Sequence, residues 1–410
     1  MIKLTYKLFT PLICLLLLFP IMRENISSFI FILLCLNTVI YKILLKDNKF
    51  FEAKTLLLTI PFWILFITSL FSSNYKVSLL HVNHGLLFLM IPIIFSLIPS
   101  EFFVLKKLNL YFLVLKNVCL LITIIYVISF LINIPFWRFN FMDGYVFREY
   151  IYNYFKFFVI HPSYYTAILI LVSAHSFDLV LKEKQYWQLI YVFSFLIITF
   201  LLLTKLNMIL MVITLVFMVL FRSYLKLKQK LLLSFCSLSF IVLLVMFIPG
   251  IKNRFSETYY SFNSKPEALA YDSTNIRKAI YDCSIQISKE NLVIGVGFEN
   301  LQLSLNDCYK SNYDSSFYQN HNYMTHNYYL YILLSAGIIG FMFYLIYLIN
   351  LIKICIKSNL FLFRVLIINA LIICFIEDYF YRQFGLLYFS LMAMIFIKHY
   401  EARIIYKSKN

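Results

Sequence analysis

Charge is scarce in this sequence: 13% of its 410 residues are Asp, Glu, Lys or Arg, and 19 of them are acidic. A water-soluble domain of this length needs far more charge to cover itself, so this chain is not built to face water all round. Glycine (8) and proline (9) are sparse as well, and there is neither a low-complexity tract nor an internal repeat. No Cys-x-x-Cys and no Cys/His pair at metal-ligand spacing occurs, so structural zinc is not expected.

What is present is apolar: 62% of the residues are hydrophobic. A membrane helix needs about 20 mostly apolar residues. Runs of that kind fall at about 8–22, 26–45, 55–71, 77–99, 109–134, 162–181, 187–204, 206–224, 231–249, 328–352, 360–376 and 384–398. The expected fold is therefore all-α, a polytopic integral membrane protein with about 12 transmembrane helices. No small-residue cleavage site follows LLLLFPIMRENISSF, so the first run is taken as a retained helix rather than a signal peptide.

The formal charge of +17 is unevenly distributed. Alternate inter-span segments carry most of it, among them Lys42, Lys46, Lys106, Lys107, Lys182, Lys184, Lys226, Lys228, Lys230, Lys353 and Lys357. The other short loops hold few basic residues, such as Arg23, Lys76 and Arg148. This is the positive-inside pattern, and it predicts two cytoplasmic termini in a cell inner (plasma) membrane. The basic balance sets orientation and gives no footprint for nucleic acid.

One segment, 250–327, has no membrane-length run and is predicted to form a single large extracytoplasmic loop. It separates an N-terminal membrane part, 1–249 (about nine spans), from a C-terminal one, 328–410 (about three). Within the loop, Ile276, Ile280, Cys283 and Ile287 recur at helical spacing, so STNIRKAIYDCSIQISK predicts an amphipathic helix capped by Ser273 or Thr274. Gly295-Val296-Gly297 then allows a tight turn, and a second short helix is expected from Glu299 to about Tyr309. A smaller outside loop, 135–160, is aromatic enough to lie at headgroup level. Six of the cysteines lie in or beside apolar runs, as small hydrophobes do. Cys283 and Cys308 lie in the loop, where an oxidising compartment favours a disulfide; two buried thiols are the alternative.

Ionisable groups near membrane depth are costly and mark candidate sites. These are Lys205 between two runs, His161 at the start of the sixth, Arg277 on the loop helix, His326 at the cap of the tenth run, and Glu377, Asp378 and Arg382 in FIEDYFYRQFG. Arg254 is a further binding candidate. Anchoring, salt bridging or helix capping is the plain alternative for each, and Thr325 and Asn327 are good N-cap types.

His326-Asn327, then nine residues, Gly337, two residues and Gly340 resembles the signature of the O-antigen ligase and O-antigen polymerase superfamily. That signature is His, then Asn, Ser or Gln, nine arbitrary residues, Gly, two residues, then Gly, Thr or Tyr. Arg277, the helix after it, the Gly-x-Gly turn, and Glu377 ahead of Phe384-Gly385 look like further family features. Where the family often has Ser-Arg, this chain has Lys205. The resemblance implies a glycosyltransferase. Its donor is a glycan on polyprenyl diphosphate, and its acceptor is a hydroxyl on a lipid-linked or growing glycan. The outside acidic residues gather into no metal-ligand spacing and the basic residues can hold a diphosphate, so neither a metal nor a cofactor is expected. The resemblance further implies His326 as general base, Asn327 orienting a partner and Arg277 holding diphosphate. Lys205, Arg382, Glu377, His161 and Arg254 would bind substrate, the tyrosines of 313–329 would form a sugar-stacking wall, and Gly337 and Gly340 would admit a close neighbouring helix. A lipid-linked glycan transporter or flippase is the alternative; transporters usually show paired repeats, which are not found here.

Overall fold

A computed structural model describes residues 1–46, 53–72, 74–133, 146–158, 160–221, 226–247, 249–263, 273–313, 318 and 322–409. Among them every regular element is helical and there is no strand. In chain order the main helices begin with α1 (Ile2–Leu16), α2 (Glu24–Leu44), α3 (Ile60–Leu70), α4 (Tyr75–Leu97) and α5 (Leu105–Asn133). Next come α6 (Pro162–Glu183), α7 (Leu189–Leu201), α8 (Lys205–Phe221), α9 (Leu227–Phe247) and α10 (Pro249–Asn263). The last are α11 (Ser273–Glu290), α12 (Leu301–Asn312), α13 (Tyr328–Ser358), α14 (Phe361–Ile373) and α15 (Gln383–Lys409). Among the described residues five helices are long and apolar enough to cross a membrane: α2, most of α4 from Lys76, α5, α6 and α13. Four shorter apolar stretches, including α3, α8 and α14, coincide with other expected runs.

The expected helix over 55–71 is interrupted. Residues 57–59 form a turn and α3 starts after Thr59, because Pro61 lacks an N–H and suits only a first helical turn. Thr59 supports the restart by accepting the Trp63 indole N–H at 3.1 Å.

The chain divides into two compact units. One comprises Met1–Ile2, Thr38–Val104 and Glu257–Asn410; the other comprises Lys3–Asn37 and Leu105–Ser256. In the second, α6 is the central helix, with apolar side chains buried on nearly all sides, and α7 and α8 pack on it. In the first, α3, α4, α13 and α15 form the bundle. Gly85 of α4 lies under Leu65, and Gly340 of α13 faces Ile64, so each glycine lets α3 come close. Outside this bundle, α11 buries Ile276, Ile280, Cys283 and Ile287, the face its periodicity predicts. Cys283 is joined to Cys308 of α12, with Sγ–Sγ 2.05 Å.

Gly337 has a different task from Gly340. It stands at φ 63°, ψ −168° inside α13, a conformation essentially confined to glycine, and breaks the helix there. The segment between α11 and α12 fills the break. The N–H groups of Val296 and Gly297 donate to Leu334 O (2.7 Å) and Ser335 O (3.0 Å). In return the N–H groups of Ile338 and Ile339 donate to Leu292 O (2.8 Å) and Val293 O (3.4 Å). The i→i−4 bonds lost at the break are thus replaced by bonds to the inserted segment. A Cβ on Gly337 would run into the Val293 carbonyl, and one on Gly295 into that of Leu334. Close helix packing, expected of both signature glycines, belongs to Gly340 alone.

Gly337→Ala is expected to destabilise the protein by roughly 3 kcal/mol, since it forces a Cβ into both a forbidden backbone region and a backbone contact. Thermal unfolding of the detergent-solubilised variant measures this, and a melting point equal to that of the parent would contradict it.

Candidate active site

The site is assembled where three pieces of the first unit meet: the chain entering α13, the turn between α14 and α15, and α11. The turn carries Glu377 and Asp378. Asp378 is buried and gathers the entering chain. It accepts from the Thr325 hydroxyl, from His326 N–H at 2.9 Å and from Asn327 N–H at 3.1 Å. These bonds hold His326 at φ 42°, a left-handed conformation that histidine tolerates better than most residues. Burial pushes the Asp378 carboxyl above its ordinary value, and His326 and the Thr325 hydroxyl pull it back. Asn327 caps α13: its Oδ1 accepts from Tyr329 N–H at 3.0 Å and Leu330 N–H at 3.1 Å. The cap expected at His326 is therefore made by Asn327, and the histidine is left one residue outside the helix.

Glu377 places its two oxygens on two different partners. Oε1 accepts from Arg277 Nη2 at 3.1 Å, and Oε2 lies 3.6 Å from His326 Nδ1. The second distance is an electrostatic contact rather than a hydrogen bond. Arg277 also donates from Nε to Ile376 O at 3.3 Å. One turn along α11, the Tyr281 hydroxyl donates to Phe375 O at 2.8 Å and meets His326 O at 3.4 Å. Burial raises the Tyr281 hydroxyl above its usual value, which keeps it protonated as a donor. Both Glu377 and His326 remain partly exposed, so a substrate can reach the pair. Tyr323 stands beside the imidazole, ring centroids 6.4 Å apart. Tyr328, expected in a sugar-facing wall, is instead buried and stacks on Tyr331 at 5.4 Å. Residues 314–317 and 319–321 of that wall lie outside the described residues.

Three polar residues of this unit were not apparent in the sequence. His81 Nδ1 lies 2.7 Å from the Tyr331 hydroxyl, Ser78 donates to Glu299 Oε2 at 3.1 Å, and His84 packs on the Tyr381 ring at 4.9 Å. Arg382 is exposed at the end of the same turn, within electrostatic reach of Tyr381 and His84. His81 and His84 lie inside an apolar run with no family motif around them; only their spacing on one face of α4 hints at a shared role.

The second unit holds the other candidates. Lys205 is the first residue of α8, after a break at Leu203 (φ 50°). Arg148 donates to Leu203 O at 3.3 Å and lies over the Tyr152 ring at 4.8 Å. His161 is the N-cap of α6; its Nδ1 accepts from Ser163 N–H at 3.3 Å. Asn207 ties the two helix starts together, donating to Ser163 O at 2.7 Å and to Thr166 Oγ1 at 2.6 Å. Arg254 lies on α10, and its side chain is outside the described residues.

Residues 190–345 match the family described as O-Antigen ligase. The match takes in Lys205, Arg277, the segment inserted at Gly337 and the His326-Asn327 pair, and it stops before Glu377 and Asp378. No curated protein matches the chain.

Asp378→Ala removes one acceptor from three donors at once. Unsatisfied buried donors cost about 1–3 kcal/mol each, so a loss on the order of 3 kcal/mol is expected. Thermal unfolding of the variant against Asp378→Asn, which keeps one acceptor oxygen, checks it: equal melting points would show that the clamp does not hold the turn.

Proposed function

We propose that this membrane protein, whose residues 190–345 match the O-antigen ligase family, transfers a glycan from a polyprenyl diphosphate carrier to an acceptor hydroxyl outside the cytoplasm. The observation that carries the reading is the sharing of one carboxylate, Glu377, between Arg277 and His326. A guanidinium suits a diphosphate leaving group, which it can grip through two N–H bonds. A partly exposed imidazole suits removal of a proton from a sugar hydroxyl.

In this reading the acceptor O–H gives its proton to His326, and its oxygen forms a bond to the anomeric carbon. The bond from that carbon to the diphosphate oxygen breaks, and the leaving polyprenyl diphosphate keeps the electron pair beside Arg277. Glu377 then faces a histidine that has become positive, which it stabilises. Asn327, as cap of α13, fixes the direction in which His326 enters the site. Lys205, Arg382, His161 and Arg254 stand as proposed substrate-binding residues. The reading needs no divalent metal, since the cations of the chain itself face the diphosphate charge.

The proposed topology has about twelve crossings of the inner membrane, 1–249 and 328–410 as membrane parts, both termini cytoplasmic and 250–327 outside. The basic-residue asymmetry supports it, as does a disulfide in that loop, because such bonds persist in oxidising compartments. Glycan profiles of cells lacking the protein separate its two forms: shortened chains mark a polymerase, and full chains left unattached mark a ligase.

His326→Asn is expected to keep donor binding and lower turnover about 10²–10⁴-fold, because asparagine tolerates the left-handed backbone but is a poor base. Arg277→Ala should weaken donor affinity and turnover together, and Arg277→Lys should recover only part of both. Transfer assays with purified, folded protein decide the matter; near-normal turnover of His326→Asn would remove the histidine from the chemistry.

A chelator is expected to leave the transfer rate unchanged. Activity lost on chelation and regained with Mg²⁺ or Mn²⁺ would mean that the leaving group is held by a metal and not by these side chains.

A further inference from the structure

We infer that the segment Leu292–Ile294, at the head of the insertion into α13, is buried among the acyl chains of the bilayer and fastens α11 to the membrane. The sequence pattern predicts 250–327 to be wholly outside, and the inference places its tip in the bilayer instead. Leu292 and Val293 are hydrogen-bonded to Ile338 and Ile339, which lie about ten residues into a 31-residue apolar helix. At about 1.5 Å per residue that is roughly 15 Å along the axis, against a hydrocarbon thickness of about 30 Å. The next residue, Gly340, sits against Ile64 in the middle of α3.

The side chains agree with that depth. Leu292, Val293 and Ile294 are 52%, 60% and 73% exposed in the chain, and nothing between Asn291 and Glu299 is charged. Ile339, which is bonded to Val293, and Met342 and Phe343 in the next turn of α13 are also exposed. On a helix that crosses a bilayer, such an exposed surface is the one that lipid covers. Non-helical backbone is tolerated at such depth only where its polar groups are paired, and the Gly337 exchange pairs Leu292 O, Val293 O, Val296 N–H and Gly297 N–H. Lys289 and Glu290 flank the tip on long stems that can reach back to the headgroups. The inference rests on α13 crossing the bilayer and not on the proposed chemistry.

Nitroxide accessibility tests it in full-length protein reconstituted into vesicles of phosphatidylethanolamine and phosphatidylglycerol. Cys14, Cys35, Cys119, Cys236, Cys355 and Cys374 are replaced by alanine, and single labels are placed at Ile294→Cys, at Ile339→Cys on α13 and at the exposed Leu303→Cys on α12. The label at 294 should match that at 339, with an oxygen-to-nickel-chelate collision ratio severalfold above that at 303. A ratio at 294 equal to that at 303 would put the tip in water, and a label shielded from both reagents would put it under protein; either overturns the inference. Should the cysteine-depleted background fail to fold, Ile294→Trp in the otherwise unchanged chain gives the same reading. Its added fluorescence must be quenched by lipids brominated on their acyl chains, and absence of quenching overturns the inference equally.

Discussion

Away from water, a backbone N–H or C=O without a partner costs several kcal/mol in a lipid setting, and the first unit is organised around places where regular helix cannot supply one. At Gly337 the helix opens and the α11–α12 connection replaces its lost bonds one for one. At the entry to α13, Asp378 accepts two consecutive N–H groups that no helix serves, and Asn327 takes two more. At the turn after α14, Cys374 O accepts from Tyr328 N–H at 2.8 Å, and Ile376 O accepts from Arg277. Each repair joins segments distant in sequence. The irregular places are therefore where the unit is held together, and the polar groups they gather make the candidate site.

The electrostatics follow from that arrangement. Two adjacent carboxylates sit in one turn but have different work. Asp378 is buried and satisfied by neutral donors, so its role is to fix backbone. Glu377 is partly exposed and faces a guanidinium and an imidazole. In the proposed reading a diphosphate arriving at Arg277 competes with Glu377 for the guanidinium, so donor binding would be felt at the carboxylate that faces His326.

Much of this was legible in the sequence. The helical class and the amphipathic face of α11 follow from hydropathy and periodicity, whereas His326 and Arg277 became candidates together through the family resemblance and the charge of a diphosphate leaving group. The rest depends on contacts that pattern does not encode. Pro61 shortens a run that hydropathy draws as continuous. His326 and Asn327 are both polar residues at a helix mouth, and only backbone direction shows which one caps. Gly337 and Gly340 look alike as small residues for close packing, yet one has positive φ and the other does not. His81 reaches Tyr331 across 250 positions of sequence, and its spacing to His84 in an apolar run carries no local mark of such a partner.

The spacing of the signature acquires a mechanical meaning. α11 is tied to α13 at two heights: Tyr281 meets His326 at the helix mouth, and Leu292 and Val293 meet Ile338 and Ile339 past the break. Both ties lie on the same two chain segments running in the same direction. The nine residues between Asn327 and Gly337 must therefore match the stretch of α11 and its exit between Tyr281 and Leu292. One residue added to that interval would turn the lower N–H groups by about 100° about the helix axis. It would break the pairing at the stitch or drag His326 away from Glu377. A fixed interval with arbitrary residues is what such a ruler needs. The side chains along it are free to vary with their neighbours, and the two fixed ends set the position of His326 above and the backbone pairing at Gly337 below.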